Sequence, residues 1–135
     1  MNKPLPLARP RSGKLDLVFT HHDRIAHASD PLWEDISSLA VAGRSVFCSC
    51  DETASVERVL IPQEGDGAAG KHVSFPLGLI FDLPDGPMGE MDIEGLCCAG
   101  GWLWVCGSHS LKRGKAKNGL AAMREIAWDP NRGFL

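Results

Sequence analysis

Residues Glu90 to Arg113 read E-M-D-I-E-G-L-C-C-A-G-G-W-L-W-V-C-G-S-H-S-L-K-R. Two apolar runs flank Gly100-Gly101, and a Gly-Gly pair between such runs predicts a tight β-hairpin turn, because both central residues must take positive φ. The body of this hairpin is apolar, while its open end carries Asp92, Glu94, Ser108 and His109. With a two-residue turn, Leu96 falls opposite Val105, Glu94 opposite Gly107 and Asp92 opposite His109. Opposed residues share a face of the ribbon. The pattern therefore predicts Asp92, Glu94, Leu96, Leu103, Val105 and His109 on one face. Ile93, Cys97, Trp102, Trp104, Cys106 and Ser108 take the other, which the tryptophans mark as the packing side.

The same pattern occurs earlier in the chain. Asp35 to Glu52 reads D-I-S-S-L-A-V-A-G-R-S-V-F-C-S-C-D-E, and Asp92 to His109 matches it without a gap. Asp35/Asp92, Ile36/Ile93, Leu39/Leu96, Ala42/Ala99 and Gly43/Gly100 are identical, and the turn falls in the same place both times. This is an internal repeat, and its period is close to that of stacked β units. The turn arithmetic places Asp35 opposite Glu52 and Ser37 opposite Cys50.

Between the hairpins, Ser55 to Pro62 and Lys71 to Leu77 read as a third and a fourth strand, with Pro76 marking an edge. Leu79 to Leu83 is short and apolar, and Pro84-Asp85-Gly86-Pro87 stops it. One repeat thus holds about four strands, the content of a propeller blade. Residues 1–14 read as a mobile N-terminal arm and residues 15–135 as the folded domain, with Leu15 to Thr20 alternating as a strand. Repeat 1 spans about 35–84 and repeat 2 about 92–135. The second repeat is incomplete, and helix-like spacing over Gly119 to Ala127 ends at Asp129-Pro130. The expected fold is mainly β, with antiparallel strands forming about one and a half β-propeller-like blades and one short C-terminal helix. Such a unit cannot close a ring alone, so either the chain is a fragment, or self-association or a partner completing the β architecture is expected.

Hydrophobic content of 44% and charged content of 23% fit a soluble globular chain, and a net charge of -3 gives no global pull towards nucleic acid. No apolar stretch is long enough to span a membrane, and Met1 to Lys14 lacks the apolar core of a secretory signal. The five cysteines, in C-x-C and C-C spacing with one apart, fit neither a disulfide framework nor a zinc knuckle. They read as reduced, buried and structural, which places the protein in the cytoplasm.

The runs E-M-D-I-E-G-L and W-V-x-G-S-H-S-x-K-R, with the earlier S-L-A-V and D-E, resemble the bacterial family known as domain of unknown function 3616. The later A-M-R-E-I and P-N-R-G-F-L resemble its continuation, so the likeness runs from about Leu15 to the C-terminus and covers the N-terminal part of a typical member, which continues through further β repeats. The resemblance implies a propeller-like β fold and no established activity. More distantly, D-x-E-G at the start of a strand is similar to the esterase-like phytase and gluconolactonase-type propellers. In those proteins an acidic residue at this place helps to hold a divalent cation. The likeness carries over to Glu94 and, less directly, Asp92, and it implies further ligands in further repeats.

Several readings of the open end compete. Asp92 and Glu94, with His109, are candidates to bind a hard divalent cation such as calcium, which would polarise a phosphoryl or carbonyl group. For Asp92 the structural reading is favoured, satisfying donors at the strand entrance, since aspartate recurs at 35 with Glu52 rather than histidine opposite it. Glu94 has Ser37 as its repeat mate, so the fold does not demand a carboxylate there. His109 is the candidate acid/base of a metal-dependent hydrolase acting on phosphoesters or related esters. A Ser108-His109 nucleophile pair is disfavoured, because adjacent strand residues point to opposite faces. The run Lys112-Arg113-Gly114-Lys115-Ala116-Lys117 is an anion-binding candidate through Lys112 and Arg113, or a solvated loop. It lacks the aromatic interleaving expected of a nucleic-acid surface. His21-His22 beside Asp23 reads as an incidental loop pair. The leading expectation is a binding module with an acidic rim and no activity assignable to it alone.

Overall fold

The computed structural model describes residues 14–20, 32, 34–63, 68–113, 119 and 124–133. These are mainly antiparallel β with almost no helix. The first hairpin pairs β1 (Ile36–Ala42) with β2 (Ser45–Cys50), and β3 (Ser55–Leu60) and β4 (Gly70–Pro76) extend it into a four-stranded meander ordered β1-β2-β3-β4. A 3-10 turn at Leu77–Leu79 leads into the Pro-rich loop. The second hairpin is β5 (Ile93–Ala99) with β6 (Trp102–Gly107). Gly100 and Gly101 both sit at positive φ, 60° and 83°, as their turn requires.

The meander separates two cores. On one face Val46, Cys48, Cys50 and Val59 pack with Phe19, Leu32 and Ala69. On the other, Val56, Leu77, Leu83, Met91 and Ile93 are buried, with Phe47, Leu96, Leu103 and Val105 packed against them. The second hairpin is therefore seated on the meander. β1 lies against β5, and the Ser37 hydroxyl donates across the junction to the Ile93 carbonyl at 2.5 Å.

A β-bulge corrects the register expected at the mouth of both hairpins. Pairing follows the turn arithmetic as far as Ser38↔Ser49 and Gly95↔Cys106. It then slips, so that Ile36 faces Cys50 and Ile93 faces Gly107. The extra residues are Ser37 and Glu94, which are repeat mates. One inserted residue reverses the parity of everything outside it. Ile93 therefore joins Leu96 on the buried side instead of joining Cys97.

The packing side is also the reverse of the one expected. Leu96, Leu103 and Val105 face the meander, while Trp102 and Trp104 are 73% and 62% exposed. The tryptophans mark the face that nothing in the described residues covers.

Two further expectations change. Leu15 to Thr20 forms no full strand: Leu17 makes a parallel bridge to Ala69, and only Phe19 of the alternating face is fully buried. The short helix does not reach Ala127, because Ile126–Ala127 forms β8 and pairs with β7 (Lys112–Arg113). An isolated helix this short gains little on its own, and a paired strand competes with it. Residues 120–123 lie outside the described residues, as does nearly all of the expected N-terminal arm. No helix among the described residues is long and apolar enough to cross a membrane.

Candidate functional site

Asp92 stands just outside β5 with φ 53°, a left-handed conformation that Asp tolerates better than most residues. The bulge brings it opposite Ser108, whose N–H donates to the Asp92 carbonyl at 2.9 Å. Its Oδ2 then accepts from the hydroxyls of Ser108 and Ser110, at 2.5 and 3.1 Å. Arg132, from the C-terminal segment, places Nη1 2.8 Å from the same oxygen. The other guanidinium nitrogen of Arg132, Nη2, bonds Glu90. Lys112 completes the cluster, 2.9 Å from Glu90 and 3.6 Å from Asp129.

Three carboxylates thus face two cations at one end of the second hairpin. The hydrogen bond to Glu90 and its charge raise the Lys112 pKa above the ordinary lysine value, against a smaller penalty from burial. Burial works against the Arg132 charge, but Glu90, Asp92 and Asp129 more than offset it and raise its pKa too. Neighbouring Asn131 is fully buried. It accepts from the Asp85 N–H at 2.8 Å and donates to the Gly86 carbonyl at 3.1 Å, clipping the Pro-rich loop to the C-terminal segment. Asp129 turns back to take the N–H groups of Asn131 and Arg132, an Asx turn that aims both side chains.

The candidates named from sequence separate in space. Asp92 is 7% exposed inside the cluster. Glu94 is the exposed bulge residue, with no partner among the described residues. His109 is exposed at φ 52° and, one residue past the expected register, does not oppose Asp92. Asp35 pairs towards Asp51 rather than Glu52, through the Asp51 N–H at 3.4 Å. Lys112 is held by acids, Arg113 is exposed, and residues 114–118 lie outside the described residues, as do His21, His22 and Asp23. Among the described residues no three His, Cys, Asp or Glu side chains converge as a metal's ligand set.

Sequence reasoning passed over Arg132, Glu90, Ser110 and Asn131. Their signal was present: Glu90 opens the E-M-D run, Ser110 sits in S-H-S, and Asn131-Arg132 in P-N-R-G. Three of the runs that carry the family likeness meet in this one cluster.

A second polar group lies under Phe19, in the first core. Glu57 is fully buried and takes the hydroxyls of Ser55 and Ser74 at 2.6 and 2.9 Å, with His72 Nε2 at 2.6 Å. The Thr20 N–H donates to His72 Nδ1 at 3.1 Å, so the ring proton sits on Nε2 and is given to Glu57. The Phe19 ring stands edge-on to the imidazole. This network ties the N-terminal segment to β3 and β4. All five cysteines are free thiols; Cys48 and Cys50 are buried as expected, but Cys97 and Cys106 are exposed.

A four-stranded meander with a second hairpin seated on its face, tied by a polar clasp, defines a mainly antiparallel β protein. Residues 35–135 match the model of a family described as a protein of unknown function (DUF3616), and the chain belongs to that family. The match begins at Asp35, the first residue of the first repeat. No curated protein and no solved structure matches the chain.

Proposed function

We propose that the chain is a β-propeller-like binding scaffold whose two hairpins are successive units of one architecture. The observation that carries this reading is the shared bulge. Ser37 and Glu94 occupy the same position of the repeat, and the second hairpin stacks on the first unit's sheet in the way that blades stack. The acidic rim serves binding, and Asp92 is structural, its Oδ2 already shared by two hydroxyls and a guanidinium. Five free thiols, two of them exposed, support a reducing, cytoplasmic setting.

A metal-dependent hydrolase acting on phosphoesters or related esters is the second reading. It is favoured by one observation: the Glu94 carboxylate stands exposed at the rim with no described partner. Here Glu94 holds a divalent cation such as calcium and His109 is the acid/base, with further ligands supplied from elsewhere. A thermal-shift titration with calcium and with magnesium separates the two. The scaffold reading expects no change in melting temperature at millimolar metal. A rise that Glu94→Gln abolishes, by linkage of binding to stability, replaces it with the hydrolase.

A further inference from the structure

The exposed tryptophan face has a counterpart within the same molecule whose covering is known. Trp104 is the repeat mate of Phe47, and Cys97 of Ala40. Phe47 faces the second hairpin, whose Leu96, Leu103 and Val105 pack against the same buried cluster, with an apolar cavity of about 310 Å³ between Phe47, Leu103 and Val105. The repeat mates of that covering surface are Leu39, Val46 and Cys48, on the far side of the first hairpin. Phe19 and Leu32 already close over Val46 and Cys48. Leu39 and its neighbour Val41, on the same face of the edge strand β1, are each 52% exposed. Among the described residues, one molecule thus carries an uncovered acceptor face and an uncovered part of the donor face that fits it.

We propose that the Trp102/Trp104 face receives the Leu39/Val41 edge of a second copy of this chain, head to tail, repeating between molecules the contact that the hairpins make within one. This rests on the scaffold reading. Ser37 supports the direction of growth: its hydroxyl reaches the first strand of the next unit at Ile93. Glu94, its mate, holds the equivalent position beside the acceptor face but cannot donate, so this one bond is not repeated between molecules. Exposed Cys97 and Cys106 lie on this face. A head-to-tail contact is heterologous, so it propagates until a ring closes or a filament forms.

The test uses the whole chain and two single-face variants. Light scattering is expected to give the wild type a mass that is a multiple of 14.6 kDa. Val41→Asp spoils only the donor edge and Trp104→Glu only the acceptor face, so each alone is expected to fall to the single-chain mass. Mixed in equal amounts, each still offers one sound face, and the mixture is expected to rise to twice that mass and stop. Val41→Asp should also leave Cys97 and Cys106 alkylated several-fold faster than in the wild type. Both sites are exposed, so both variants should keep the wild-type circular dichroism. A single-chain mass for the wild type overturns the proposal. So does Val41→Asp assembling as the wild type does, the mark of a symmetric tryptophan-to-tryptophan contact. So does unchanged alkylation. None of these results touches the metal titration that decides between the scaffold and hydrolase readings.

Discussion

Replacing Asp92 by Ala removes the shared acceptor of Ser108, Ser110 and Arg132. A hydrogen bond to a charged group is worth roughly 1.5–3 kcal/mol, but three such values do not add here. The two serine hydroxyls lie 2.8 Å apart and can bond each other. Arg132 keeps Glu90, and the site is near enough to the surface for water to replace part of the loss. About 3 kcal/mol is left for the bonds. An alanine held at φ 53° adds about 1 kcal/mol of left-handed strain. The expected total is about 4 kcal/mol.

Asp92→Asn keeps an acceptor and tolerates the left-handed backbone, so it should cost about half as much. Glu94→Ala, at an exposed bulge position, should stay within about 0.5 kcal/mol of the wild type. Urea unfolding followed by tryptophan fluorescence, at a protein concentration held fixed, measures all three. A loss below about 1 kcal/mol for Asp92→Ala would refute the view that the cluster is a structural clasp. A loss for Glu94→Ala larger than that for Asp92→Ala would place the structural carboxylate at the wrong residue.

Burial pushes the Cys48 and Cys50 thiols up from 9.0 to about 12. The unfolded chain releases these protons first as pH rises, so their contribution to stability is whole below pH 9 and is lost between there and pH 12. The urea midpoint should hold steady through neutral pH and fall above about pH 9, with a shallower fall in Cys48→Ala. Gly89→Ala drives a methyl group into the Asn131 amide nitrogen. It should displace the clip on the Pro-rich loop, lower the melting temperature by several degrees and expose the loop to limited proteolysis. Ile93→Ala, at a residue with no exposed surface, should cost about 2–5 kcal/mol in the same urea assay.

The parts of the fold that rest on local rules could be read from sequence. Gly100-Gly101 fixed one turn, and Val46, Cys48 and Val59 alternate cleanly with Phe47 and Val56, so the hairpins and the four strands of the meander follow from period and turn chemistry. The exposed side of the second hairpin did not follow. Hydrophobicity favours burying tryptophan, but which face is buried depends on what lies opposite. Leu96, Leu103 and Val105 pack against the cluster of Val56, Leu77, Leu83, Met91 and Ile93, a long-range contact that carries no local signal. Arg132 was out of reach for the same reason: its partners Glu90 and Asp92 lie 42 and 40 residues away in the chain. Its only trace was the P-N-R-G run.

The mouth of the hairpin was misread for a different reason, and the error shows what the repeat preserves. Strict alternation puts Asp92 opposite His109 and sends Ile93 out beside the tryptophans. The bulge turns Ile93 into the core and Asp92 towards Ser108. It does the same in the first hairpin, where Ile36 packs on the core and Asp35 meets Asp51. The extra residue itself is left out of the ladder, so the fold sets its position but not its side chain. That is why serine fills the place once and glutamate the other time. Ser37 uses the freedom to bond the next unit, and it does so as a donor to the Ile93 carbonyl. An ionised carboxylate cannot donate that bond. Glu94 therefore cannot repeat the Ser37 contact; in the scaffold reading it stays solvated at the rim, and in the hydrolase reading it meets a cation.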